Sequence, residues 1–494
     1  MMADKEISTV DSLKASFKSG VRLMPEAFSH LIDEAYKASE IIDGAQGDGP
    51  IAGLKRDSKG KLALNTHHSG GLNSNQGALA LSLKPEGGLS FDGGGYLKLD
   101  ADRQVQFADF FSLSRRERME ITQVLGLKRT MITRIVSPSP KENERFGASV
   151  SMSAAGDCLA VGMINRVYVY TRRKSGEWNI GKPIVFEAFE DEYHRSSWDV
   201  SLDAAGDTLA LGNMLPYPTY NRGRVCVYTR RKGVWDTKNP VVFPIGIEYF
   251  GVNVSLSATG DCLVGGGKHY LPFRIFMRRN GIWDTENPIQ IPIPSDSYEF
   301  GWIAHLSAAG NCLAVRDYAP MIYVYTRTNG IWDGENPIKF KVPEDNLSIG
   351  RAFSLNAAGD RLAVGIEFYN STDGEVYLYK RTNGIWDKEN PIKFSAPASD
   401  VTYFGRSLEL NDAGDRLVVG AYSRVYVYTC LNDKWNMETP MEILNPLGNS
   451  DNLNDFGNVI SLNKAGTGFA VGADSESVDS KSKAGAVYVF ENVK

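Results

Sequence analysis

Cysteine is scarce: five residues in a chain of 494. Cys158, Cys262 and Cys312 occupy one recurring slot, and Cys226 and Cys430 lie in or beside a different recurring strand. Equivalent slots of different repeats are expected to lie beyond the ~7 Å Cα separation a disulfide tolerates, so all five are read as free thiols of a reducing compartment. Histidine is as sparse, and His30, His67, His68, His194, His269 and His305 show no metal-ligand spacing to cysteine or carboxylate. No apolar run approaches the ~18 residues of a membrane-spanning helix. An excess of one charge is missing too. The formal net charge is −5, which supplies no bulk field for nucleic acid or an anionic bilayer.

Several catalytic signatures are absent as well. There is no Gly-x-Ser-x-Gly elbow and no phosphate-binding glycine loop. Gly265-Gly266-Gly267 follows a strand pattern but precedes no helix. The first residues, Met1 to Lys14, are polar and acidic where a secretory leader is basic and then apolar, so synthesis in the cytoplasm without a signal peptide is expected.

What the chain has instead is repetition. A block of about 50 residues recurs seven times between Phe146 and Phe490, with a glycine at Gly156, Gly206, Gly260, Gly310, Gly359, Gly414 and Gly466. Its core reads Phe-Gly-x-Ser-x-Ser-Leu-x-Ala-x-Gly-Asp-x-Leu-Ala-Val-Gly. A Val-Tyr-Val-Tyr-Thr-Arg stretch and a Trp segment ending Asn-Pro-Ile-x-Phe follow. A unit of this length, made only of short strands, buries its apolar face against its neighbours. The expected fold class is all-β: a seven-bladed β-propeller of four-stranded blades over 128–494.

Residues 350–394 illustrate one blade. Alternation through Ala352, Phe353, Ser354 and Leu355 predicts a half-buried inner strand. Asn356 to Asp360 form a tight turn, Leu362 to Gly365 a second strand and Val376 to Tyr379 a third. Thr382-Asn383-Gly384 then turns the chain into an outer strand opened by Trp386. Small residues such as Ser149, Ser151, Ala160 and Gly162 suit the crowded centre, and Trp283, Trp332 and Trp386 the wide periphery. The last repeat ends at Lys494 without a Trp segment, so its outer strand is expected from 130–136, closing the ring and removing an open edge.

The Phe-Gly, Leu-Ala-Val-Gly and Val-Tyr-Val-Tyr elements resemble the FG-GAP repeat of integrin-α-type propellers. Ser197-Trp198 and Ile349-Gly350 depart from Phe-Gly in repeats 2 and 5. That family often carries a calcium loop, yet Ser371-Thr372-Asp373-Gly374 and Asp474-Ser475-Glu476 lack its spaced carboxylates, so no cofactor or metal is expected. The recurring Trp-Asp pairs lack the Gly-His of WD40 repeats.

The first 127 residues are different. Phe28, Leu31, Ala35, Ala38 and Ile42 predict a helix from Pro25, suited to a short coiled coil or to docking on its own chain (1–50). Over 51–110, Gly53-Leu54, Gly71-Leu72 and Gly88-Leu89 each lead a short leucine-alternating segment. Three chains could bury these leucines along a common axis; a Gly-rich linker with local hairpins is the alternative. Ser114-Arg115-Arg116-Glu117 reads as a capping box opening a helical connector over 111–127. The helix and Gly-Leu segments resemble the N-terminal shaft of phage tail fibres and of contractile injection systems. That resemblance implies a homotrimer attached to a particle baseplate, released outside the cell.

Candidate contact residues follow from loop variability. The loops between strands 2 and 3, and those between blades, are expected on one face and vary. The Ala-Ala-Gly-Asp turns of the opposite face hardly change. The variable loops carry Tyr193, His194, Tyr217, Tyr220, Asn221, Arg222, His269, Tyr270, Tyr298, Asp317, Tyr318, Tyr369, Asn370 and Tyr422. Tyrosine offers rigid amphipathic contact area on such loops. The expectation is a non-enzymatic protein recognising a cell-surface glycan or protein receptor, with no nucleic-acid partner and no membrane insertion. A scaffold binding a partner protein is the alternative. A glycan-cleaving enzyme would need paired carboxylates, for which Asp317 and Glu367 are the loop candidates.

Overall fold

The computed structural model describes residues 131–493 and the backbone of six short strands between Gly53 and Lys98. Within 131–493 it omits 188–197, 214–222, 244–249, 268–272, 298–299, 318–320, 342–348, 367–373 and 448–454. The chain divides into two units, Met1–Thr130 and Met131–Lys494. In the first, three antiparallel hairpins succeed one another: Gly53–Arg56 with Leu62–Asn65, Gly71–Asn75 with Ala78–Ser82, and Ser90–Phe91 with Leu97–Lys98. Each falls on one Gly-Leu segment. The helix expected from Pro25 and the connector over 111–127 lie outside the described residues.

The second unit is a seven-bladed β-propeller of four-stranded antiparallel blades. Blade 1 runs outward as Ser149–Met152, Cys158–Met163, Arg166–Thr171 and Ile184–Glu187. In blades 2, 3, 4 and 6 the outer strand comes in two pieces, both paired with the third strand. The first piece ends on the Trp, and Asp-x-x-Asn-Pro or its counterpart sits between the two. In blade 3 the Asp284 carboxylate accepts the Asn287 N–H at 2.9 Å and its side-chain amide at 3.2 Å. Asp236 and Asn239, Asp333 and Asn336, and Asp387 and Asn390 do the same. The Trp-Asp pair is therefore a turn device: the indole is buried and the carboxylate closes the loop.

Closure occurs where the sequence placed it. Met131–Val136 pairs antiparallel with Ala486–Glu491, with Ile135 opposite Val487, and supplies the fourth strand of blade 7. The Arg134 guanidinium then pairs with the buried Glu476 carboxylate, whose other oxygen accepts the Tyr488 hydroxyl at 2.9 Å. No blade is left with an open inter-strand edge at the ring junction.

One expectation changes. Ala352, Phe353, Ser354 and Leu355 are all buried, not alternately exposed. The reason is that each sheet lies between two others. Seven hydrophobic clusters form, each shared by two adjacent blades. At four of these seams an outer-strand Phe meets an aromatic and a Trp of the next blade edge-on. Phe340 lies 4.8 Å from Tyr379 and 5.3 Å from Trp386 between ring centroids. Burying one such side chain contributes roughly 1.5–3 kcal/mol, with a further increment for the T-shaped geometry.

A closed ring of backbone hydrogen bonds runs around the turn face. Ala154 N–H donates to Ala204, Ala204 to Ala258 and Ala258 to Ala308. Ala309 donates to Ala357, Ala357 to Asp412, Asp412 to Lys464 and Lys464 back to Ala154, all at 2.8–3.2 Å. The glycine of each turn takes a positive φ, and in several blades it is also needed for space. At Gly359 the backbone takes φ +68°, and an added Cβ would sit 2.4 Å from the Cys312 Cβ of the preceding blade. The recurring cysteine slot is thus an inter-blade contact, and all five thiols are unpaired. Where the slot holds arginine it staples blades directly, Arg416 donating to the Gly466 carbonyl at 2.9 Å.

Candidate binding site at the channel mouth

The seven inner strands enclose a central channel of about 1420 Å³. Its wall is built from one repeated bond. Ser151 Oγ accepts the N–H of Leu202 in the next blade at 2.9 Å. Ser201 does so for Leu256, Ser255 for Leu306, Ser354 for Leu410 and Ser461 for Met152, at 3.0–3.1 Å. Two blades break the series. Glu409 stands in the serine slot of blade 6 and accepts the Leu462 N–H at 3.0 Å. His305 stands in that of blade 4, its ring edge-on to Phe353 at 5.7 Å. Among the described residues no blade 4 side chain accepts the equivalent Leu355 N–H.

Two residues nearer the loop face, Asp199 accepts the Val254 N–H at 2.7 Å and the Asn253 amide at 3.2 Å, while Asn253 accepts the Ala304 N–H at 3.0 Å. Asp199, His305 and Glu409 keep some surface in the lumen yet are walled by seven blades. Burial raises the Asp199 carboxyl to about 6, against the Val254 hydrogen bond. It raises Glu409 to about 8, with Asp412 adding to the shift, and lowers the His305 imidazole to about 4. The three are therefore arranged to be less charged than their solvent-exposed counterparts.

At the loop end, the channel mouth between blades 6 and 7 gathers Tyr403, Arg406, Tyr422, Asp455 and Asn458. Tyr403 precedes the Phe404-Gly405 corner and takes φ +57°, a conformation bulky side chains rarely adopt. Its ring lies 6.1 Å from that of Tyr422, tilted by 44°. The Arg406 guanidinium sits over the Tyr403 ring at 5.6 Å, donates to Asn458 Oδ1 at 2.7 Å and approaches Asp455 at 3.6 Å. Asp455 also accepts the Ser475 hydroxyl at 2.6 Å. Burial, with the Asp455 charge second, raises the Tyr422 hydroxyl above its ordinary range.

Of the residues singled out from sequence, Tyr193, His194, Tyr217, Tyr220, Asn221, Arg222, His269, Tyr270, Tyr298, Tyr318, Tyr369 and Asn370 lie outside the described residues, as does Glu367. Tyr422 and Asp317 both line the channel. Tyr422 is half-buried within the mouth cluster. Asp317 is fully buried in the channel wall and accepts the Tyr323 hydroxyl at 3.3 Å. Sequence reading missed Asp199, His305, Glu409, Tyr403, Arg406, Asp455 and Asn458. The first three carried a signal, each replacing a small or neutral residue at a repeat position. Among the described residues no group of three or more His, Cys, Asp or Glu side chains is placed to hold a metal ion. No protein-family model matches this chain, and no curated protein aligns with it significantly.

Proposed function

We propose that the protein is a non-enzymatic recognition protein whose propeller binds a cell-surface glycan or protein receptor through its loop face. The observation that carries this reading is the contrast between the two ends of one channel. One end is closed into a backbone hydrogen-bonded ring, and the other opens, among the described residues, on a cluster of tyrosines and hydrogen-bonding side chains between blades 6 and 7. A rigid scaffold presenting irregular, tyrosine-bearing loops suits binding. The likeness of the blades to FG-GAP repeats supports an adhesive role by analogy of fold, which alone does not decide function.

In the same reading the Gly-Leu hairpins and the segment before them form a trimeric, fibre-like shaft that attaches the head to a particle. Three heads on one stalk would add weak sites through avidity. Incubating the labelled full chain with a panel of cells and a glycan array tests recognition; a chain that binds no cell and no glycan defeats it. Sedimentation velocity tests the shaft, which a monomeric full-length chain defeats.

A further inference from the structure

We infer that the mouth between blades 6 and 7 is a subsite for one neutral, hydroxyl-rich sugar residue. The inference rests on the recognition reading above and names its ligand. A pyranose presents two chemistries at once, a weakly positive face of C–H groups and a rim of hydroxyls that both donate and accept. The mouth presents the complements of both. Tyr403 and Tyr422 form a tilted aromatic pair whose π faces attract C–H groups, at low entropic cost because each ring has only two torsions. Beside them Arg406 is donor only and Asp455 acceptor only, the pairing that fixes adjacent hydroxyls with charge-assisted bonds.

The groups are also held in place before any ligand arrives. Arg406 is fixed by Tyr403 beneath it and Asn458 beside it, and Asp455 by Ser475. The network continues through Asn458 to Asp474, which pairs with Arg145 at 2.9 Å. Such support is what a binding constellation needs to keep its geometry. It also sets the preferred charge. Among the described residues Arg406 and Arg145 are each matched by a carboxylate, Asp455 and Asp474, and leave no unbalanced cation there for a sialic or uronic acid. An anionic sugar would meet the Asp455 carboxylate beside an arginine already engaged, whereas a neutral one meets matched dipoles.

The test uses the full chain on an array of neutral glucose-, galactose- and mannose-terminated glycans beside sialylated and uronate-containing ones, with titration calorimetry of the best neutral hit. Expected is neutral-glycan binding that survives about 0.5 M salt, where exposed charge pairs are screened. Tyr422→Ala and Asp455→Asn are each expected to weaken it about tenfold or more, as removal of a central contact does, and Tyr422→Phe to keep most of it. Melting curves establish that the variants are folded; should Tyr422→Ala not fold, Asp455→Asn and the sparing effect of Tyr422→Phe still decide. Neutral-glycan binding unchanged in folded variants overturns the subsite and leaves the recognition reading standing. So does binding confined to acidic glycans and lost in salt, or attachment of the chain to cells with no glycan bound. A chain that binds neither cells nor glycans overturns both.

Discussion

The two faces of this propeller are made from the same seven repeats and treat them in opposite ways. On the turn face every blade places a left-handed glycine at the same point and a donating backbone N–H there or, in blade 4, one residue on, and the seven units close into one hydrogen-bonded ring. On the loop face adjacent blades differ in side chain: the position before Phe-Gly takes a positive φ at both Arg145 of blade 1 and Tyr403 of blade 6, and in blade 6 it carries a bulky ring in a conformation that favours glycine. The difference shows where fold and recognition separate along a single strand. The end that must match its neighbour is uniform because one misfit would propagate around a closed ring. The end that has no neighbour to match can hold strain and irregularity.

The most severe way to break the comparison is to open the ring. Ile135 is buried in the seam between blades 7 and 1, on the strand that closes the circle. Ile135→Asp places an unpaired carboxylate there, and a loss of about 4 kcal/mol or more is expected. Urea unfolding followed by tryptophan fluorescence reads it. A variant as stable as the parent would show that closure is dispensable.

A smaller effect separates the two demands on turn-face glycines. Gly359→Ala must accept both φ +68° and a Cβ 2.4 Å from Cys312 Cβ, whereas Gly384→Ala meets φ +82° in open space. The first is expected to cost about 2–5 kcal/mol, backbone and overpacking together, and the second about 1–2 kcal/mol. Equal losses in denaturant titrations would mean that contact with the preceding blade does not constrain these turns.

Much of this architecture was legible in the sequence. Each blade needs the same glycine, the same turn residue and the same aromatic edge, so the physical requirement repeats visibly, and the closing strand at 131–136 follows from a last repeat that lacks one. The channel was not legible in the same way. A serine read as merely small, such as Ser151, proves to be the acceptor for a backbone N–H 51 residues away, and only the closed circle shows that partner. Loop length and tyrosine content led to Tyr422 but not to Tyr403, Arg406 or Asp455, because these flank the repeated Phe-Gly and look like part of the scaffold. His305 and Glu409 depart from serine at a repeat position, a signal that the sequence reading passed over. Their chemistry depends on the walled lumen, which no local pattern encodes.

That lumen yields a pH-dependent test between the extremes. Glu409 has its carboxyl raised to about 8 by burial, so between the ordinary carboxylate range and about pH 8 the folded protein keeps a proton that the unfolded chain has released. Stability therefore falls as pH climbs through that window, and is unaffected by this group at lower pH. Glu409→Gln keeps an acceptor for Leu462 N–H and removes the ionisation. It is expected to exceed the parent by about 1–2 kcal/mol above pH 8, a figure reduced for water in the channel, with the gap closing near pH 4. His305 works oppositely: lowered to about 4, it destabilises the fold as pH drops below its ordinary range. Both proteins contain it, so the difference between their stability curves cancels it. A constant gap from pH 4 to 9 would assign the effect to shape and not to charge.

The smallest expected change in stability is at Tyr403, and it sharpens the contrast most. Asparagine tolerates the left-handed region that a bulky residue resists, so Tyr403→Asn relieves backbone strain of about 1 kcal/mol. Losing the ring contact with Tyr422 and the Arg406 stack costs a similar amount. The net change in a thermal melt should stay within about 0.5 kcal/mol, while neutral-glycan affinity drops by about tenfold. A fold indifferent to this side chain, joined to a binding defect, is what a residue retained for contact and not for architecture would show. If stability collapsed instead, Tyr403 would belong with the turn-face glycines, and the division between a uniform face and a free one would not hold at blade 6.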